Sequence, residues 1–537
     1  MQDATHYDFV IIGSGFGGSV AALRLSEKGY RVAVLEQGKH WTPDTLPKTT
    51  WQLRDWLWMP WLGLRGFFSL RVFRHMVVLH GNAVGGGSIT YASTLLVPKP
   101  SVWAQGAWAG LLDWQTIMPA HFATASRMLG VSRNRRPAPA DERLRAACTE
   151  QGYGDHYQLT DVGIYFGDED SPHGTPHPDP YFGGAGPPRK SCIACGGCMV
   201  GCRHGAKNTL DLNYLHLARQ QGATVCAETR VTRLRPLRLH GGQRGYRVDA
   251  RMGSSPLGKT QTFTCNNVVF AASSLGTQTL LLKAKARGDL RDLSPTLGTQ
   301  VRTNAESLIG VRFPGSEVDL STGVAIGSGV QLDAVTHVEA TRFPAGSDAM
   351  GLIATLQARG RSDWALTLVR MLITRPRTLW RLLRPRGWAK ESMILLCMQT
   401  LDSYLTMALK RRWYWPWSRR LTSKGDALPS SIPIAARFAD GLARQFGGVA
   451  MSSLPEMLFD IPMTAHCIGG AGMGRDASDG VCDAWGRVHG YPGLYVCDGA
   501  LVSANLGVNP SLTITALAEH VMSGIAPADD AAPRMAG

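Results

Sequence analysis

The first regular pattern along the chain is an apolar run, residues 8–12 (DFVII), followed by glycines and then by VAALRLSEKG, whose apolar positions recur with a helical period. RVAVLE follows as a second apolar run that ends in an acid. Short apolar runs of this kind predict buried strands, and the order strand, turn, helix, strand predicts a βαβ unit. The pattern returns later: TLDLNYLHLARQQGATV predicts a helix and a strand, VVFAASSLGTQTLLL a strand, turn and helix, GLYVCDGALV a strand, and NPSLTITALAEHVM a long helix. Residues 45–79, rich in Trp, Phe, Leu and Arg without strand periodicity, read as a segment covering something apolar. Residues 100–160 look mostly helical, 165–190 form a Pro/Gly/Asp/His-rich loop, and 310–455 mix strands with a basic helical stretch. There is no internal repeat.

Composition narrows this picture. A chain of 537 residues exceeds one small core, so two interleaved domains are expected. No apolar run approaches the length of a transmembrane helix. The first strand begins within eight residues of Met1, too soon for a secretion signal. The 11 cysteines are odd in number and four crowd between Cys192 and Cys202, unlike a secreted disulfide framework. Reduced thiols or metal ligands and a cytoplasmic location, peripheral to the inner membrane face, are expected.

The net charge of +15 is unevenly placed: residues 359–424 hold 15 Lys and Arg against three acids, Asp363, Glu391 and Asp402, a balance of +12. Arg370, Arg377, Arg381 and Arg384 fall at helical spacing, with Leu368, Leu372, Leu379 and Leu383 predicted opposite and Pro376 splitting the segment in two. Because the cations alternate with Trp, Leu and Met, an anionic membrane surface is a better partner than nucleic acid. A solvated helix packed on the domain is the alternative.

GSGFGG sets Gly13, Gly15 and Gly18 between the first predicted strand and helix, where glycines permit a sharp turn and let a pyrophosphate approach the helix amides. Glu36 ends the second strand, 23 residues after Gly13, near where a carboxylate takes adenosine ribose hydroxyls. Glycines alone would be a weak signal; strand, turn, helix, strand and acid together predict a dinucleotide site.

From His80, HGNAVGGGSITYAS resembles the second glycine-rich segment of the glucose–methanol–choline (GMC) oxidoreductase family. HCIGGAGMG from His466, with DGVCDAWGRVHGYPGLYVCDGALVSANLGVNPSLTITALAEH, resembles that family's C-terminal end, and GAKNTLDLNYL and VVFAASSLGTQTLL resemble segments between. The likeness runs the length of the chain and is greatest to the cholesterol oxidase branch. It implies an α/β fold in which an FAD-binding Rossmann-like domain (1–45, 80–100, 206–310 and 456–537) is interleaved with a substrate domain built on an antiparallel sheet covered by helices. The second domain would comprise 46–79, 101–205 with the Cys-rich loop, and 311–455 with the basic stretch. It further implies that FAD is held by Gly13, Gly15, Gly18, Glu36, Gly85, Gly86, Asp498 and Gly499, with Val231 near the adenine. Thr90 stands where some relatives carry a histidine bonded to FAD, so the cofactor is expected to be non-covalent.

Alcohol oxidation needs a base of near-neutral pKa for the hydroxyl proton and a polar group to orient the oxygen. The family places these at positions that are His466 and Asn509 here, and Asn at the second is the cholesterol oxidase pattern. Cys467 and Ala471 depart from the common Pro and Cys, which bears on pocket shape. HVEATRFPAGSDAMG resembles more loosely a segment carrying an isomerase carboxylate; Asp348 is the best match, with Glu339 behind it, and a surface acid is the alternative.

Cys192, Cys195, Cys198 and Cys202 form C-x2-C-x2-C-x3-C, a ferredoxin-like spacing, although Arg203 replaces the usual proline. An iron–sulfur cluster, a zinc loop and four reduced thiols all remain open. The expected function is FAD-dependent oxidation of a secondary hydroxyl on a bulky apolar alcohol, a sterol or similar terpenoid, to a ketone, with electrons passing to oxygen or another acceptor. Two rivals stand: a cluster-bearing dehydrogenase serving a quinone or carrier protein, and a non-redox isomerase or membrane-associated binding protein using FAD as scaffold.

Overall fold

The computed structural model describes residues 6–168, 171–238, 244–253, 258–358, 361–412, 415–426 and 428–528. Residues 359–360 and 413–414 of the basic stretch and 169–170 of the Pro/Gly-rich loop lie outside them. Two seven-stranded sheets organise the described residues.

The first sheet grows from the predicted βαβ unit. Strand β1 (His6–Ile12) pairs in parallel with β2 (Val32–Leu35) and with the strand Thr260–Phe270, and helix α1 (Phe16–Glu27) makes the crossover. Phe9 to Ile12 and all of β2 are buried, the near-continuous apolar signature of parallel strands covered on both faces. The strand Thr224–Cys226 extends the parallel side, Leu494–Val496 pairs with Thr260–Phe270, and an antiparallel meander through Arg244–Met252 and Thr229–Arg238 completes the sheet. Helix Ser511–Ser523 packs on α1, where Arg24 and Tyr214 both bind the buried carboxylate of Glu519.

The second sheet is antiparallel throughout, in the order Ala354–Leu356, Val449–Ser453, Ser307–Arg312, Ser392–Gln399, Thr336–Thr341, Ile326–Gln331, Tyr157–Leu159. Its period of two sorts residues between faces. Ile309, Val311, Val338, Ala340, Met393 and Leu395 pack under helices Pro139–Glu150 and Pro433–Gln445. Their neighbours Leu308, Thr341, Ile394 and Leu396 line the opposite side, where a cavity separates this sheet from the first domain. This is the expected mixed fold, with a Rossmann-like unit beside an antiparallel sheet.

Residues 45–79 fold into short helical turns and strands whose Trp56 stacks on Phe68 at 4.7 Å, and Phe68 lines the cavity. In the basic stretch, α2 (Arg361–Thr374) and α3 (Pro376–Leu383) break at Pro376 as predicted. The predicted leucine face is not one face: Leu379 is buried and Leu368 half-buried against Leu356 and Met451, whereas Leu372 and Leu383 are exposed. Packing one side of α3 on the sheet edge divides the leucines.

Helix Pro139–Glu150 is pinned by Asp141, fully buried, which accepts from Ala138 N at 2.9 Å and Ser328 Oγ at 2.7 Å and pairs with buried Arg342 at 2.5 Å. Removing one partner of such a pair strands a buried charge. Asp141→Ala is therefore expected to lower stability by about 3–5 kcal/mol, read as a lower denaturation midpoint in urea at unchanged slope.

Candidate active site

Three glycine-bearing segments meet at the C-terminal ends of the parallel strands. Gly13, at φ +103°, could not carry a Cβ, which would lie 2.3 Å from Ala271 O, and at Gly18 one would lie 2.1 Å from Gly13 O. At Gly15 the nearest atom to such a Cβ is Gly86 Cα, 4.0 Å away, so space stays open beside the helix start. Gly85, at φ +93°, donates its N–H to Ser14 Oγ at 3.1 Å, and a Cβ on Gly86 would lie 2.6 Å from Gly15 Cα. Gly17, which the G-x-G-x-x-G spacing does not mark, touches Cys497 O so closely that any side chain is excluded.

This cradle fits the dinucleotide. Helix α1 begins at Gly15 with no side-chain cap and no acid in its first turn, so its first amides are left for an anion. Glu36 lies at the end of β2, buried, accepting from Ser14 N, Ser14 Oγ and Gly38 N at 3.1, 2.8 and 2.8 Å; burial pushes its pKa up against those hydrogen bonds. Asp498 accepts from Thr277 Oγ1 at 2.6 Å and Ala500 N at 2.8 Å, and burial raises it to about 6. Asp498 and Gly499 line the same cavity as Gly15 and Gly17. Val231 sits apart, beside Ile12 and Phe270 at a void of about 10 Å³.

The cavity measures about 270 Å³ and is walled mainly by apolar side chains, among them Phe68, Met199, Leu308, Phe343, Ile394 and Leu396. His466 and Asn509 both face into it, from segments 43 residues apart. Glu306 Oε1 contacts His466 Nδ1, which leaves Nε2 as the ring nitrogen for the cavity. Burial would lower the imidazole pKa, but the charge and hydrogen bond of Glu306 and the charge of Glu339 outweigh it, and the net shift is upward. Asn509 Nδ2 donates to Glu339 Oε2 at 3.2 Å, and Glu339 in turn lies 3.4 Å from His337 Nε2. His80 also lines the cavity, but burial and the Arg71 charge lower its pKa to about 3, so it is neutral. Thr90 borders the cavity with its hydroxyl on Gly87 O at 3.0 Å, and Cys467 and Ala471 are both packed within this end of the chain.

Asp348 requires correction. Its two carboxylate oxygens accept from Gly387 N and Ala389 N, each at 2.9 Å, and it does not line the cavity. It ties down the short helix Trp388–Glu391, while Glu339, the second choice, is the acid beside Asn509. Strand periodicity decides this: Glu339 alternates with buried Val338 and Ala340 and so points cavity-side. Glu306 lies in none of the recognisable motifs, and no pattern along the chain marks it.

The four cysteines do not form a ligand set. Among the described residues no group of three or more His, Cys, Asp or Glu is arranged to hold a metal. All four are free thiols; Cys192 and Cys198 are buried while Cys195 is exposed. Burial pushes the Cys192 and Cys195 thiols up and Cys198 to about 11. The loop instead builds a wall: Met199 enters the cavity, and buried Lys207 Nζ joins Cys198 O at 2.7 Å to Ile89 O at 2.9 Å, beside the Gly85–Gly86 turn.

Comparison with known proteins agrees with this geometry. GMC oxidoreductase family models match residues 188–298 and 456–518, and an NAD(P)-binding Rossmann-like domain model matches 11–50. The chain is 49% identical to a cholesterol oxidase of Acinetobacter baumannii over 97% of its own length and 94% of that protein. It is 45% identical to a cholesterol oxidase of Mycobacterium tuberculosis over 96% and 90%. Pyridoxine 4-oxidase from Mesorbium loti has the same fold, with a TM-score of 0.62 at 17% identity, covering 96% of this chain and 98% of that one.

A wall-building loop predicts that Cys195→Ser leaves flavin content and the visible spectrum unchanged. Metal analysis of the purified protein should return iron and zinc well below one equivalent; stoichiometric iron with sulfide would contradict the loop geometry.

Proposed function

The chain belongs to the GMC oxidoreductase family as an FAD-dependent oxidoreductase of CH–OH donors, and from that premise we propose that it oxidises a secondary hydroxyl on a sterol-like alcohol to a ketone, with oxygen as electron acceptor. The observation that carries this reading is the convergence of His466 and Asn509 on one apolar cavity beside the Gly15–Gly17 cradle. The names of the two cholesterol oxidases above support the substrate class and the acceptor. Bound FAD, held without a covalent link, supplies the hydride acceptor. His466 Nε2 takes the hydroxyl proton as general base, its Nδ1 being engaged by Glu306. Asn509 keeps one Nδ2–H on Glu339 and has a second for the alcohol oxygen. The apolar walls favour a bulky hydrocarbon skeleton and exclude water from the reacting carbon.

A substrate of this kind resides in membranes, and the α2–α3 surface supports peripheral contact with an anionic bilayer. Leu366, Val369, Leu372, Ile373, Trp380 and Leu383 are all more than half exposed, next to exposed Arg370, Arg377, Arg381 and Arg384. Among the described residues no helix is long and apolar enough to cross a membrane.

Two outcomes follow. Anaerobic flavin bleaching by a sterol should rise with pH through a single ionisation above the ordinary histidine value of 6.5, because the base must be neutral and His466 is shifted upward. His466→Ala should lose at least about a hundredfold in that rate, with the rise abolished and FAD retained; near-wild-type bleaching would refute the assignment. Arg377, Arg381 and Arg384 changed together to Glu should abolish salt-sensitive binding to phosphatidylserine vesicles while sparing oxidation of a soluble alcohol.

A further inference from the structure

A carboxylate that no motif marks stands directly behind the base. Residues 302–306 run antiparallel to 464–468: Arg302 and Ile468 exchange both backbone hydrogen bonds at 2.8 and 3.0 Å, and Thr464 Oγ1 donates to Thr303 O at 3.0 Å. Asn304 then ties this segment to the one bearing Asn509, accepting from Gly507 N and donating to Val508 O, each at 2.9 Å. Asn304 and Ala305 are both left-handed, at φ +59° and +44°, although neither is glycine. Two successive non-glycine residues in that region are strained, and such strain persists only where the surroundings impose it. The turn it makes delivers Glu306, only 1% exposed, onto His466. One oxygen contacts Nδ1 and the other accepts from Ala465 N at 2.8 Å, so the carboxylate grips both the ring and the backbone leading into it.

We propose that Glu306 is the positioning residue of the base: it accepts the Nδ1 proton of His466, fixes the tautomer whose Nε2 lone pair faces the cavity, and stabilises the imidazolium formed when the alcohol proton arrives. No bond to Glu306 is made or broken; the proton stays on His466 and the carboxylate supplies charge and orientation. The other groups packed round the ring are consistent with this division. Glu339 lies across the cavity side, bound to Asn509 and beside His337, and adds charge without contacting Nδ1. The neighbouring thiol of Cys467 is pushed up to about 12 and stays neutral, as does His80.

The inference rests on His466 being the base, and its test separates the two. Glu306→Gln, with FAD bound, should move the pH midpoint of anaerobic flavin reduction down by at least about one unit and slow the plateau rate at least about tenfold, with KM little changed. In the absence of substrate, the pH-dependent shift of the flavin absorption band caused by the nearby imidazole should move down by the same amount. Glu306→Asp, which keeps the charge at shorter reach, should recover part of both effects and serves alone if the Gln variant fails to fold; in that case a wild-type midpoint and rate in the Asp variant overturn the proposal. If His466→Ala loses activity while Glu306→Gln keeps the wild-type midpoint and a rate within about threefold, Glu306 has no such role. If His466→Ala retains activity, the base assignment itself falls.

Discussion

Backbone meeting backbone without an intervening side chain is the constraint on which the rest of this molecule depends. At Gly13, Gly17 and Gly86 a single Cβ would overlap main-chain atoms of another segment. The helix start, the second glycine turn and the strand end at Cys497–Asp498 can therefore close to contact distance. That closure aims uncapped helix amides at one point and sets the floor of the cavity. Everything that faces this floor, from His466 to the Met199 wall, is placed relative to it.

The second sheet supplies the roof through a different rule. Alternate residues of its central strands are committed to the helix-covered core, which forces their neighbours toward the cavity whatever their polarity. Glu339 is one consequence, and the turn at Asn304–Ala305 ahead of the strand adds Glu306; both carboxylates are essentially inaccessible to solvent. Buried charges are costly unless paired, and here each has partners: Glu306 the imidazole of His466, Glu339 Asn509 and His337. The polar network thereby limits the orientations of His466 and Asn509, while the surrounding apolar walls strengthen its electrostatics by excluding water.

The cavity is also bounded by elements that share no motif with it. The covering segment contributes Phe68, and the Cys-rich loop contributes Met199 through a buried lysine that bridges the loop to the second glycine turn. A cysteine spacing suggestive of metal thus serves shape. Beyond the roof, Met451 contacts both the base of α3 and a second apolar void that shares Leu308, Met350 and Ile394 with the main cavity, so the exposed helical pair lies close to that cavity.

Local physics made part of this legible from the amino-acid order alone. Glycine spacing, apolar runs and the acid ending β2 depend on neighbours within a few dozen residues, so the βαβ unit, the dinucleotide cradle and the break at Pro376 could be read directly, whereas His466 and Asn509 were marked only by the resemblance of their segments to the GMC family. What only the tertiary structure decided involves partners far apart in sequence. Glu306 reaches His466 across 160 residues and Glu339 reaches Asn509 across 170, through sheet register and a strained turn that no pattern encodes. Asp348 matched a motif yet became a backbone tie, because two amides 39 and 41 residues away took its oxygens. The cysteines kept ferredoxin spacing, but left-handed Ala194, Gly196 and Gly201 bend the loop so that its thiols face different surroundings. Spacing along a chain limits which groups can meet; only the fold sets the directions in which they point.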